Sequence, residues 1–385
     1  MACPIGNLFT SPVDRILQKK FNILDIINLA DFPYADPKRL YDRLLPLVKN
    51  KYESTDRIII LHFDVDYYID PFVSYHPGLT VTVLQQILSL LNIPNYFVLF
   101  VTNYDNISNE LIYAQKMYSA DIHAIRYIPC ELTRVFLDSN KIQPIDINPL
   151  SIVKKYSCFN GTARPHRRYL ICLLSSNDLL SQGILSYKQT NHQETKFSFN
   201  DVDINFLNNA PVFLTTSPVE LINQRYNFNQ IDKLINIQDI DPIELDGKAN
   251  DIDSRYQFLE IQKSFLYVAT ETVFQYPHPL MTEKSYKGIT AKRPFVILGA
   301  QYSLKKLQDL GFKTFDKFWD EGYDSLRDPA EKLLSVYKII ESICQLPDDK
   351  LKNMLIEMTD ILDHNFITYA NLENTLMDKF EKDIS

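Results

Sequence analysis

Three groups of residues in this chain have the types and spacing to handle an anionic, hydroxyl-bearing ligand. In the first, Arg164, His166, Arg167 and Arg168 gather where the short apolar run Tyr156 to Phe159 passes through Asn160-Gly161-Thr162 into a segment opened by Pro165. Guanidinium forks match pairs of phosphate oxygens. Positive charge at a helix N-terminus opposes the helix dipole unless an anion is present. The group therefore reads as a diphosphate clamp; spacing does not choose among Arg164, Arg167 and Arg168, and Arg164 and Arg167, which flank His166, are taken as the candidates. His166 reads as a hydrogen-bonding neighbour, because no acid is placed in sequence to orient it. The second group is Glu271 followed by Thr282-Glu283-Lys284. Thr282 has the type and position of a helix N-cap, Lys284 adds a full charge beside unpaired N–H groups that favour phosphate, and Glu283 can accept the hydroxyl protons of a ribose. The third is Asp64-Val65-Asp66, where either carboxylate suits a general base for a hydroxyl. As a DxD tripeptide the same stretch suits a divalent cation such as Mn or Mg. Each group also has a plainer reading as capped helix ends and strand ends with solvated charges.

To act, these residues must be delivered by strands and helices, and the apolar patterning supplies both. Arg57 to Phe63, Tyr96 to Val101 and Ile122 to Ile128 read as buried strands, with helical periodicity at 37–48, 79–91 and 109–119. Strand and helix in alternation predict a mainly parallel sheet covered on both faces. Lys141 to Leu150, with two prolines and little periodicity, marks a domain boundary. Beyond it, Phe265 to Ala269 and Pro294 to Leu298 read as strands with a Thr282-capped helix between them. Glu271 then falls at a carboxyl edge, where open α/β sheets bind ligands. A helix is expected from Tyr302 to Leu310, a short strand over Phe312 to Phe315, and helices over Pro329 to Cys344 and Pro347 to about Phe380. Trp319, in an aromatic and acidic segment, reads as a packed side chain among surface acids. Residues 187–255 carry one expected strand, Pro211 to Thr215, and no assigned chemistry.

The chain has 385 residues, 45% hydrophobic and 23% charged, enough for two domains with substantial cores. A formal net charge of −8 gives no general attraction to polyanions and argues against a nucleic-acid partner. Five cysteines without a CxxC pair or metal-ligand spacing suit a reducing compartment, and the sequence offers no metal-ligand set of its own kind beyond the aspartates. The first twenty residues lack a signal-peptide core and no run approaches the ~20 apolar residues needed to cross a bilayer. A cytoplasmic protein is expected, a setting that suits a bacterial or viral source, and the Ile, Asn, Lys and Tyr content suggests an AT-rich genome. The oligomeric state is not legible.

Glu271-Thr272, a gap of about ten residues, Thr282-Glu283-Lys284 and a strand from Pro294 that closes at Gly299 resemble the donor-binding motif of the α-1,3-fucosyltransferases and related glycosyltransferases. The family's Tyr-Val before the Thr-Glu-Lys step is Leu280-Met281 here, and its Asn-Ser is Thr272-Val273. The resemblance covers the second half of the chain. It implies two Rossmann-like domains facing a cleft (the GT-B arrangement) with C-terminal helices: an acceptor-side domain over 1–145, a donor domain over 146–345 and a terminal helical segment over 346–385. It also implies inverting transfer of a sugar, with a fucose-like GDP-sugar as donor and a glycan or other hydroxyl as acceptor, without an obligatory metal. Carried over, Glu283 holds the ribose, Lys284 and the Arg164–Arg167 group hold the diphosphate, Glu271 sits near the sugar or supports the loop, and Asp64 or Asp66 is left as the base.

Overall fold

Runs of β-branched and aromatic residues form two parallel sheets in a computed structural model, which describes residues 23–28, 38, 41–42, 45–46, 57–64, 89–92, 96–102, 125–129, 146–160, 165–187, 259–271, 274, 279 and 281–383. By internal contacts the chain divides into two units, one of Met1–Asn140, Asn209–Thr215 and Glu373–Ser385, the other of Lys141–Asn208 and Thr216–Leu372.

In the first unit, strands β1 (Ile23–Asn28), β2 (Arg57–Asp64), β3 (Tyr96–Thr102) and β4 (Ile125–Pro129) pair in that spatial order, all parallel. Asp64 pairs in register with Thr102, and Thr102 with Pro129, so Asp64 ends its strand at the carboxyl edge. Asp66 lies outside the described residues. Strand β1 was not expected: the sequence reading gave the first fifty residues only helical patterns, and ILDIIN is too short for periodicity to separate strand from helix. The helix expected at 109–119 lies outside the described residues, and the 37–48 and 79–91 helices are described only in part.

The second unit orders its strands β6-β5-β7-β8, again all parallel. They are β5 (Lys154–Asn160), β6 (Gly183–Tyr187), β7 (Ser264–Thr270) and β8 (Phe295–Leu298). Parallel neighbours need crossovers. Helix α1 (Pro165–Ser176) connects β5 to β6, and α2 (Glu283–Thr290) connects β7 to β8. All seven residues of β7 and all four of β8 are buried, as a sheet covered on both faces requires. The amino end of this sheet is pinned by Arg293, 1% exposed, which donates to the carbonyls of Gln262 and Ser264 and to Ser151 Oγ.

Helices α3 (Ser303–Asp309), α4 (Pro329–Gln345), α5 (Asp348–Glu357) and α6 (Thr359–Asp383) complete the described chain. Two expectations are corrected here. Phe312 to Phe315 is not a strand: the backbone of Lys313 bonds both ways with the Asn365 side chain, at 2.7 and 2.8 Å, and the Phe315 N–H donates to Glu321. Side chains take the bonds a neighbouring strand would have made. The helix expected from Pro347 to about Phe380 is two helices, and no helix-breaking residue marks the bend, which falls at fully buried Met358. Trp319, 9% exposed, packs on Phe315 with ring centroids 5.3 Å apart. No described helix is long and apolar enough to cross a membrane.

Candidate functional site

At the carboxyl edge of the second sheet, the ends of three strands are tied together by polar side chains. Asn160 closes β5 with its N–H on Ser186 Oγ of β6 at 3.1 Å, while its side-chain oxygen accepts from Thr270 Oγ1, the end of β7, at 2.7 Å. The Asn160 amide also donates to Cys158 Sγ at 3.3 Å, and burial pushes that thiol up to about 12. A fully buried polar group needs partners, and these bonds fix where the strands stop.

Helix α1 begins with Pro165 in its first turn, followed by His166 and Arg167. His166 Nε2 donates to the Glu271 carbonyl at 2.9 Å, and its ring stacks on Phe274 at 4.8 Å. Arg167, 2% exposed, donates from one terminal nitrogen to the Thr270 carbonyl at 2.8 Å and the Glu271 carbonyl at 3.2 Å. The sequence reading gave Arg167 a diphosphate. Here its guanidinium meets the two carbonyls where β7 ends. Arg164 lies outside the described residues.

Glu271 is fully buried directly after β7. One carboxylate oxygen accepts from the Thr282 N–H at 2.9 Å, the Ser285 N–H at 3.2 Å and the Ser285 hydroxyl at 2.5 Å; the other accepts from the Thr282 hydroxyl at 2.6 Å. A negative charge is thus held at the N-terminus of α2, where dipole and unpaired donors favour it. Thr282 is the N-cap, as its sequence position predicts, and its hydroxyl oxygen also accepts from the Lys284 N–H at 3.3 Å. Lys284 Nζ donates to Glu283 at 2.7 Å and to Thr282 Oγ1 at 3.3 Å. The Glu283 and Lys284 side chains keep 39% and 21% of their surface accessible, so of this cluster they are the pair that solvent reaches.

Sequence reasoning missed Lys332. It lies in the first turns of α4, 4% exposed, on the stripe that runs through Pro329, Leu333, Val336 and Ile340. Its ammonium donates to the carbonyl of Gly299, the residue after β8, at 3.4 Å, and stands 6.0 Å from the Phe274 ring centroid. Burial pushes this amine down to about 8, with Asp324 pulling the other way. Asp324 is itself held by the N–H groups of Leu304 and Lys305 at the start of α3, at 2.9 and 3.1 Å. The legible signal was a lysine at a position that helical periodicity assigns to the core.

Of the sequence-derived residues, the structure brings together Arg167, Glu271, Glu283 and Lys284 through Thr270 and Thr282. Asp64 belongs to the other sheet. Among the described residues no three His, Cys, Asp or Glu side chains form a group that could hold a metal ion.

The chain is an α/β protein built on parallel four-stranded sheets. No protein-family model matches it, and no curated protein matches it. Among solved structures it is similar to the N-terminal domain of Candida albicans trehalose-6-phosphate phosphatase, at a TM-score of 0.41 and 10% identity over 92% of this chain and 75% of that one.

Proposed function

We propose that the protein is a glycosyltransferase that moves a sugar, fucose-like and carried on GDP, to the hydroxyl of a glycan or similar acceptor. Transfer proceeds with inversion, in the cytoplasm, and without an obligatory metal. The observation that carries this reading is the Glu283–Lys284 pair, held in the first turn of α2 beyond the end of β7 and kept accessible while Glu271 and Thr282 anchor the backbone beneath it. An accessible ammonium beside an accessible carboxylate at a carboxyl sheet edge suits a diphosphate and a ribose together. In this reading Lys284 stabilises charge developing on the leaving diphosphate, Glu283 accepts from the ribose hydroxyls, and Glu271 and Arg167 support the edge from within. Arg164 remains a candidate for the diphosphate. Asp64 or Asp66 of the first unit is the candidate base for the acceptor hydroxyl.

A second reading, a non-catalytic protein that keeps a binding edge, is favoured by a specific observation: one terminal nitrogen of Arg167 and both carboxylate oxygens of Glu271 bond to the chain itself. Calorimetric titration of GDP, UDP, CDP and ADP, with and without Mn²⁺, into the native protein and Lys284→Ala tests the donor site. Metal-independent GDP binding that weakens roughly 10- to 100-fold in the variant supports it, the loss of a charge-assisted contact. Absence of any nucleotide binding sinks it. GDP binding without turnover of GDP-sugar toward any acceptor favours the second reading.

A further inference from the structure

Lys332 is the buried charged group to which the reading above gives no task. An ammonium carries three donors, and among the described residues this one has a single hydrogen bond, at 3.4 Å, to the Gly299 carbonyl. The Phe274 ring, 6.0 Å away, adds a cation–π contact at the outer limit of its range. The acids that could answer it are engaged with backbone and hydroxyl groups: Asp324 accepts from Leu304 and Lys305, and Glu271 from Thr282 and Ser285. On the α1 side, His166 and Arg167 bring further positive or neutral donors, directed at the carbonyls of Glu271 and Thr270. Burying a charge with so little compensation is costly, so a lysine kept for packing alone would be better replaced by methionine or leucine on the same stripe. Its position supplies a reason. Gly299 directly follows β8, so the ammonium lies at the carboxyl edge of the sheet, the edge from which α2 presents Lys284.

We propose that Lys332 is a second ammonium contact for the phosphate end of the ligand, acting with Lys284 on a diphosphate at this edge. The proposal rests on the nucleotide reading of the same site. A diphosphate oxygen would fill donor positions that the Gly299 carbonyl leaves open, and would lift the cost of the buried charge only when ligand is bound.

The test is calorimetry with GDP and with inorganic diphosphate on the native protein, Lys332→Met and Lys284→Ala, together with thermal midpoints with and without GDP. Lys332→Gln takes the place of the methionine variant if that one does not fold. Expected for Lys332→Met are a ligand-free midpoint at or above that of the native protein, a roughly 10- to 100-fold loss of affinity for both ligands, and a matching loss of the GDP-induced rise in midpoint. If Lys284→Ala weakens GDP but Lys332→Met does not, this proposal is overturned and the donor-site reading stands. If the native protein binds neither ligand, both fall. A lowered ligand-free midpoint with unchanged GDP affinity assigns Lys332 a packing role and overturns the proposal.

Discussion

One carboxylate oxygen of Glu271 accepts both the N–H and the hydroxyl of Ser285, at 3.2 and 2.5 Å, from fourteen residues earlier in the chain. The end of β7 thereby supplies the anion that the N-terminus of α2 attracts. A phosphate approaching this edge meets a helix end already occupied, and the positive charge left for it belongs to side chains. In the reading proposed above, a diphosphate at this edge would therefore depend on Lys284 and Lys332 more than on the helix dipole.

Replacing Glu271 should therefore damage stability before it touches chemistry. Glu271→Ala leaves the donors of Thr282 and Ser285 buried and unanswered, at about 1–3 kcal/mol for each group so exposed, and a loss of several kcal/mol in urea denaturation is expected. Glu271→Gln keeps volume and part of the acceptor capacity, so its loss should be about half as large. Equal stability of the alanine variant and the native protein would show that these bonds hold nothing together.

Gly288 sets how closely α2 lies on the sheet. A Cβ there would come 2.9 Å from Tyr267 Cδ1 and 3.1 Å from Phe295 Cβ. Alanine gains about 1 kcal/mol of helix propensity over glycine, but overpacking costs about 1–3 kcal/mol, and both neighbours are buried in strands and cannot swing away. The steric term should win, so Gly288→Ala is expected to be destabilised by about 1 kcal/mol or more. It should also weaken GDP binding, because α2 must lift and carry Glu283 and Lys284 with it. A stabilised variant would mean that the helix relaxes freely.

The frame of this site was legible in the sequence because its signals are local. Phe265 to Ala269 and Pro294 to Leu298 are unbroken apolar runs, without a polar residue such as the Asp25 that interrupts β1, and Thr282 declares a cap by residue type alone. What was not legible is non-local. Nothing in the spacing says that Arg167 turns inward to the carbonyls of Thr270 and Glu271, more than one hundred residues away, or that Asn365 replaces a strand neighbour for Lys313. Lys332 shows the intermediate case: its periodicity was local, but its partners, Gly299 and Phe274, come from other elements. Strand β6, GILSY, is short and ends where the polar stretch begins, so composition masked it.

Cys158 and Cys344 are free thiols and buried. Since the thiolate is the reactive form and burial pushes Cys158 up to about 12 and Cys344 up to about 11, neither should be alkylated by iodoacetamide at pH 8 while the chain is folded. Both should react fully in denaturant. Peptide mapping by mass spectrometry separates the two states, and rapid native labelling of Cys158 would contradict the packing of β5.

The desolvation of Lys332 makes stability depend on pH in a defined direction. Its amine is lowered in the folded chain from 10.5 to about 8, so between those values the unfolded chain binds the extra proton. Stability then rises with pH through this contribution, being reduced below about 8 and progressively relieved as pH climbs toward 10.5. The thiols of Cys158 and Cys344 act in the opposite sense, since their raised values cost stability as pH rises past the unfolded value of 9.0. They act equally in the native protein and in Lys332→Met, so the difference between the two isolates the lysine. Urea denaturation of both at pH 8 and pH 9 should show the native protein gaining about 1 kcal/mol on the variant. Saturating GDP should flatten that gain, because a phosphate beside the ammonium restores its charge. A difference independent of pH would place the amine in contact with water and remove the reason for giving it a ligand.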